Sequence, residues 1–242
     1  MDGQFWYPMT ASLVAALVTT IGILVVQRHE DWGRQNSSYF AAFAAGVLIT
    51  VSFLHLIPKS FALQPSAPAY LLTGYLIMHI LNRFITACVC DRPGRADYAI
   101  GLIPMLGIGF HSLIDGAVYS ITFTVSTFTG VAAAIGMVLH EFPEGIVTYI
   151  LLLRSGMKKQ TAFWLAFLAA GLSTPLGTLI SYPFVQHVDH FVLGSLLSLS
   201  AGALIYVGAT HLLPAAEREP RRYSLLALAA GIGTAIGITL SH

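Results

Sequence analysis

The stretch IGLIPMLGIGFHSLIDGAVYSITF, residues 100–123, decides the fold class of this chain. A helix needs about 20 apolar residues to cross the hydrocarbon core of a bilayer, and this stretch is long enough. Asp115 is its only Asp, Glu, Lys or Arg residue, and His111 precedes it by one helical turn. The stretch therefore predicts a membrane-spanning helix with one carboxylate near its middle.

The composition of the whole chain agrees with a membrane protein. Of 242 residues, 10% are charged and 56% are hydrophobic, and the mean hydropathy is +0.75. A soluble domain carries about 25% charged residues. This excludes a soluble globular enzyme, a disordered chain and a basic nucleic-acid binder, so we expect the lipid bilayer and no nucleic acid among its partners.

Eight apolar stretches are long enough to be transmembrane helices. The connections between them are short and leave no room for a second domain. The sequence therefore predicts one transmembrane domain, residues 1–242, of the all-α class. In chain order the predicted spans are Met9–Val26, Ser38–Ile57, Ala69–Ala87, Ile100–Phe123, Val131–Leu153, Phe163–Phe184, Phe191–Leu213 and Leu225–Leu240.

The basic residues predict the orientation of the spans. Eleven of the 12 Lys and Arg residues lie in alternate loops, and only Lys59 lies on the other side. Because cytoplasmic loops are enriched in Lys and Arg, both termini are expected to be extracytoplasmic. The eleven are Arg28, Arg34, Arg83, Arg92, Arg95, Arg154, Lys158, Lys159, Arg218, Arg221 and Arg222.

Spans two and seven contain a sequence repeat. The segment Ala45–Val51 recurs as Ala201–Val207, and His55-Leu56-Ile57-Pro58 recurs as His211-Leu212-Leu213-Pro214, with 8 identities in 14 positions at one offset. Span seven comes five spans after span two, so the two spans run in opposite directions through the membrane. Such inverted repeats are typical of secondary transporters.

Two polar motifs lie between the repeated units. Span four contains His111 and Asp115, and span five contains His140 and Glu144, each pair followed by glycine. Residues four apart share one face of a helix, so each span presents an imidazole beside a carboxylate.

These motifs place three carboxylates, Asp115, Glu141 and Glu144, inside the membrane with no Lys or Arg at mid-span. Burying them is costly, so they are either protonated or hold a cation. The two histidines favour a cation, because mixed nitrogen and oxygen ligands suit Zn²⁺, Fe²⁺ or Mn²⁺ better than Mg²⁺ or Ca²⁺. A purely structural contact between the histidines and carboxylates of the two helices is the alternative.

The motifs His-Ser-x-x-Asp-Gly and His-Glu-x-Pro-Glu-Gly resemble the paired metal motifs of the ZIP (Zrt/Irt-like) transporters, and the repeated segments resemble that family too. The resemblance implies eight helices in a 3+2+3 arrangement and metal transport into the cytoplasm. It also implies that His111, Asp115, His140 and Glu144 form the primary metal site. The transported ion is expected to be Zn²⁺, with Fe²⁺, Mn²⁺ and Cd²⁺ as alternatives, and no resident cofactor is expected.

Some members of that family bind a second metal beside the first. At the corresponding positions this chain has Ser112, Glu141 and Thr174, two of which are weaker ligands than the residues they align with. We therefore expect one strong site with a lower-affinity neighbour at Ser112 and Glu141. His55 and His211 are candidate pathway ligands, as is Thr174.

Two further expectations follow. Many eukaryotic members of the family that the chain resembles have a long His-rich loop after span three, and this chain lacks it, so the resemblance implies a minimal transporter of the prokaryotic inner (plasma) membrane. A homodimer is left open. An alternative function is an intramembrane zinc hydrolase, since His140-Glu141 begins like His-Glu-x-x-His, but the fifth residue is Glu144 rather than histidine. We therefore expect a transporter and not an enzyme.

Overall fold

The computed structural model describes residues 3–85, 98–125, 127–187, 189–218 and 222–240, and these ranges are almost entirely helical, without a β-strand. The all-α class is thus confirmed. Residues 86–97, which include Cys88, Cys90, Arg92 and Arg95, lie outside the described ranges. The helices are α1 (Trp6–Arg28), α2 (Glu30–Gln35), α3 (Ser37–Val51), α4 (Ile57–Leu63), α5 (Ala67–Ile85), α6 (Tyr98–Val125), α7 (Thr127–Arg154), α8 (Lys159–Ala166), α9 (Ser173–Ser181), α10 (His190–Val207), α11 (Leu213–Arg218) and α12 (Ser224–Leu240).

The helices of the structure lie at the positions of the predicted spans. Each predicted span falls on one helix or on a continuous stack of helices, apart from the last residues of span three, which lie outside the described ranges. In the described part of the chain, five helical segments are long and apolar enough to cross a membrane: Trp6–Arg28, Ser38–Leu63, Tyr98–Thr124, Lys159–Phe184 and His190–Leu212. The number of crossings and the side of the termini stay predictions.

The repeat is also present in the backbone. A π-helical turn at Ser52–Leu56 joins α3 to α4, and a second at Gly208–Leu212 joins α10 to α11, at the same offset as the repeated motifs. Each turn is followed two residues later by a proline, Pro58 or Pro214. Proline cannot donate a backbone hydrogen bond and its ring clashes with the preceding turn, which a wider turn relieves.

The two repeated helices lie antiparallel to each other. Next to the end of α4, Gln64 donates through Nε2 to Ser195 Oγ of α10 at 3.2 Å. At the other end of α10, Gly208 lies against Ile49 of α3. This opposite direction is what the sequence repeat predicted for spans two and seven.

The helices form two groups that meet along α6 and α7. In the first group α1, α6, α7 and α9 pack on one another, and in the second α3, α5, α10 and α12 do so. Contacts between the groups run mainly from α6 to α10 and from α7 to α3. The two helices with the polar motifs therefore lie in one group and face the repeated helices of the other.

Glycines allow the closest of these helix contacts. A Cβ atom added at Gly116 of α6 would overlap the carbonyl oxygen of Thr174, and one added at Gly177 of α9 would overlap that of Leu113. Small residues let membrane helices approach at backbone distance. The Gly116–Gly177 contact fixes α6 against α9 immediately beside Asp115.

Candidate metal site

Three of the four predicted primary ligands come together between α6 and α7. His111 Nε2 lies 3.3 Å from Asp115 Oδ2 on its own helix and 3.8 Å from Glu144 Oε1 on α7. Their side chains are almost completely buried, with 1%, 4% and 2% of their surface exposed. One imidazole nitrogen thus faces carboxylates from both helices; the spacing of four predicted the neighbour Asp115, and the packing of α7 adds Glu144.

The fourth predicted ligand, His140, lies on α7, but its side chain is outside the part of the structure that is described. Among the described side chains, no group of three or more His, Cys, Asp or Glu residues is arranged so that it could hold a metal ion. The donors at His111, Asp115 and Glu144 are therefore adjacent without being closed into a coordination shell.

Ser200 of α10 holds the other side of the His111 ring. Its Oγ lies 2.8 Å from His111 Nδ1. A histidine that binds metal through Nε2 carries its proton on Nδ1 and usually donates it to a neighbouring acceptor. Ser200 can accept that proton, which leaves Nε2 directed at the two carboxylates. Ser200 could not be predicted from the sequence, because nothing local to it indicates contact with a residue on another helix.

Removing this contact has a testable consequence. We expect Ser200→Ala to weaken zinc binding by about 10-fold, because the imidazole loses the partner that orients it. Competition with a chromophoric zinc chelator on the purified protein measures the change. Ser198→Ala is the matched control, since Ser198 is buried on the same helix but donates to the backbone oxygen of Ala67. Equal affinities for the two variants would contradict the orienting role of Ser200.

Glu141 is held by threonine hydroxyls from two other helices. Thr174 Oγ1 of α9 donates to Glu141 Oε1 at 3.0 Å. Thr19 Oγ1 of α1 lies 3.5 Å from Glu141 Oε2 and 3.3 Å from the backbone oxygen of the same residue. The carboxylate is fully buried. The predicted second-position residue Glu141 and the predicted pathway residue Thr174 are therefore in direct contact, and Thr19 joins them from a helix that sequence analysis did not single out.

Ser112, the other residue predicted for the second position, is buried on α6 next to His111. Its hydroxyl donates to the backbone oxygen of Ile108 at 2.9 Å. The oxygen keeps lone pairs that can accept further hydrogen bonds or bind a cation weakly.

A basic residue also approaches the site. Sequence analysis finds no Lys or Arg at mid-span, but the structure brings Lys59 of α4 within electrostatic range of Asp115. Lys59 lies two residues beyond the end of predicted span two, outside the mid-span region, so it adds a basic group near Asp115 that the charge pattern did not indicate. Neither the π turn before Pro58 nor the packing of α4 can be read from the charge pattern.

The two candidate pathway histidines occupy equivalent positions in the repeat. His55 lies in the π turn between α3 and α4, and His211 lies in the turn between α10 and α11. Both are half-buried. His211 Nδ1 is 2.9 Å from Thr210 Oγ1, and its ring lies 5.3 Å from that of Tyr206.

The comparisons with known proteins all find zinc or metal transporters. The family model of the ZIP zinc transporters matches residues 90–240, more than half of the chain. The zinc transporter ZupT of Nitratidesulfovibrio vulgaris is 24% identical over 271 aligned positions, which cover 96% of this chain and 95% of the relative. ZupT of Stenotrophomonas maltophilia strain K279a is 26% identical, with 97% and 96% covered.

A human protein is also similar to this chain. The human metal cation symporter ZIP14 is 27% identical over 186 positions, which are 71% of this chain and 36% of the relative. The chain thus spans about a third of the length of that relative. With its long apolar helices and bacterial relatives, it is a multi-pass integral protein of the inner membrane. The chain belongs to the ZIP family of zinc transporters.

Proposed function

We propose that this protein carries Zn²⁺ into the cytoplasm through a site formed by His111, Asp115, His140 and Glu144. The observation that carries the proposal is the convergence of His111 Nε2 with Asp115 and Glu144, all buried near the middle of α6 and α7. Such a group of donors is costly in a membrane unless its carboxylates are protonated or it binds a cation, and the histidine nitrogen among the donors favours the cation. The zinc and metal cation transporters among the relatives support the same function.

The chemistry of the donors favours transport of zinc over other ions. Imidazole and carboxylate ligands suit Zn²⁺, and they also accept Fe²⁺, Mn²⁺ and Cd²⁺, which stay alternative cargoes. They hold the ion less tightly than thiolates do, so it can be released. Their deprotonated forms bind metal, so uptake is expected to depend on pH.

The proposed movement is alternating access in a protein with eight membrane crossings and both termini outside the cytoplasm. The alternating basic loops support this topology. The antiparallel repeat and the two helix groups support a movement of one group against the other. The site lies in the group of α1, α6, α7 and α9, so it would change its exposure when that group moves.

The alternative of an intramembrane zinc hydrolase is less well supported. Its general base would be Glu141, the residue that follows the first histidine of His-Glu-x-x-His motifs. Here Glu141 Oε1 accepts from Thr174, and Oε2 lies near Thr19. A carboxylate in contact with two hydroxyls from other helices is poorly placed to activate a water molecule on a neighbouring metal.

Reconstitution tests the proposal directly. The purified protein is placed in liposomes that contain a zinc-sensitive dye, and external zinc is added at a fixed membrane potential. We expect dye fluorescence to change faster than in protein-free liposomes, and to respond also to Cd²⁺ or Mn²⁺ if selectivity is broad. If the protein moves no divalent metal and instead cleaves a peptide or lipid, the transport function is wrong.

The number of bound ions is a separate prediction. We propose one tight zinc site per chain, because Glu141 interacts with the hydroxyls of Thr174 and Thr19 where a second ion would need another acid. Thr174→Glu supplies that acid and is expected to raise the number of tightly bound zinc ions from one to two, as measured by equilibrium dialysis. Thr174→Gln, of equal size but neutral, should still bind one. Two tightly bound ions in the unmodified protein would contradict the prediction.

A further inference from the structure

Tyr119 lies on the same face of α6 as the proposed metal ligands. It follows Asp115 by one helical turn and His111 by two, so the three side chains form one row along the helix. The side chain is fully buried, with no exposed surface. Tyr119 therefore continues the ligand row of α6 toward the C-terminal end of that helix.

The hydroxyl of Tyr119 has no hydrogen-bond partner in the part of the chain that the structure describes. Leaving a buried hydroxyl without a partner is unfavourable, and phenylalanine would fill the same space without this cost. The group lies within electrostatic range of both Asp115 and Glu141. Within the described part of the chain, this phenol therefore has hydrogen-bonding capacity that a group arriving with the cargo can satisfy.

The surroundings of the ring are apolar. Tyr119 packs against Ala15 of α1 and Met137 of α7, with Val138 and Phe123 at the edge of this cluster. Its hydroxyl is thus a polar group in an otherwise apolar layer that lies between the carboxylates and the C-terminal end of α6. An ion that passes this layer would leave bulk water and meet the phenol before the ligands.

We propose that Tyr119 is an additional binding residue of the transport site, whose hydroxyl hydrogen bonds to a water molecule carried by the metal ion. Its ring, with Ala15 and Met137, closes the site toward the C-terminal end of α6. A phenol both donates and accepts, so its oxygen can accept a hydrogen bond from the metal-bound water. The inference rests on the proposed function, because the water enters with the transported ion.

Tyr119→Phe is the test, since it removes the hydroxyl and keeps the ring. We expect KM for zinc uptake and the zinc dissociation constant in detergent each to rise about fivefold, the loss of one neutral hydrogen bond. The maximum rate should change less than KM. The melting temperature of Tyr119→Phe should stay the same or rise, because the change removes a buried hydroxyl that has no partner among the described residues. If Tyr119 were only structural, the melting temperature would fall together with uptake.

Tyr149→Phe is the matched control. Tyr149 is also fully buried, but it packs with Ile23 and Val26 in a different cluster. We expect zinc uptake and zinc affinity of the Tyr149→Phe variant to equal those of the unmodified protein. Unchanged KM and affinity in Tyr119→Phe would overturn the inference while uptake itself persists. Failure of the unmodified protein to take up any metal would instead overturn the proposed function, and the dissociation constants would still report on Tyr119.

Discussion

Glu144→Gln is expected to lower the rate of zinc uptake by about 100-fold or more, while the protein still folds. Glutamine has the shape of glutamate but lacks the negative charge that binds the cation. Altering a residue that only supports a metal ligand lowers metal affinity or activity about 10- to 100-fold, so the loss of a ligand should lower them at least as much. Glu144 is buried and its Oε1 faces His111 Nε2, which leaves little room for another ligand to replace it.

The liposome assay measures this effect, and size-exclusion chromatography confirms that the variant is folded. Glu217→Gln is the control, because Glu217 is an exposed acid on α11. The double variant His140→Ala with Glu144→Ala tests both predicted ligands of α7 together. Uptake by either Glu144 variant within twofold of the unmodified protein would show that the central site is assigned to the wrong residues.

The second large effect is expected at the contact between α6 and α9. Gly116→Val should destabilise the protein by about 3 kcal/mol, at the upper end of the cost of overpacking. Any Cβ at this position overlaps the backbone of Thr174 and Gly177, and backbone atoms cannot rotate away as a flexible side chain would. The two helices must then separate beside Asp115, so uptake should be lost with stability.

Thermal unfolding in detergent, followed by intrinsic fluorescence, measures this change. Gly233→Val is the matched control, since a Cβ at Gly233 of α12 meets no atom within 4 Å. We expect its melting temperature to stay close to that of the unmodified protein. A similar melting temperature for Gly116→Val would mean that α6 and α9 do not need their close approach.

Much of the site could be predicted from local patterns. His111 and Asp115 are four residues apart, so a helix alone places them side by side, and the structure adds Glu144 from α7. The repeat predicted antiparallel helices, and the structure has them, with π turns at equivalent positions that follow from Pro58 and Pro214. These features depend on residues that are close in the sequence or on motifs that recur.

The surroundings of the site could not be predicted in this way. Ser200 contacts His111 across 89 residues of sequence, and Thr19 contacts Glu141 across 122. Serine and threonine are common in membrane helices, where most of their hydroxyls bond to the backbone of the preceding turn, so neither residue stands out. Lys59 belongs by charge pattern to the outer side, yet the packing of α4 brings it within electrostatic range of Asp115.

The sequence by itself thus determined the all-α membrane class, the antiparallel repeat and the pairing of His111 with Asp115, because hydropathy and helical period act over a few turns of one chain segment. Only the tertiary structure decided which hydroxyls hold His111 and Glu141, and which buried phenol lies beside the carboxylates. The physical reason is that these contacts join different helices. Their positions depend on how closely glycines such as Gly116 let the helices approach, which no local pattern encodes.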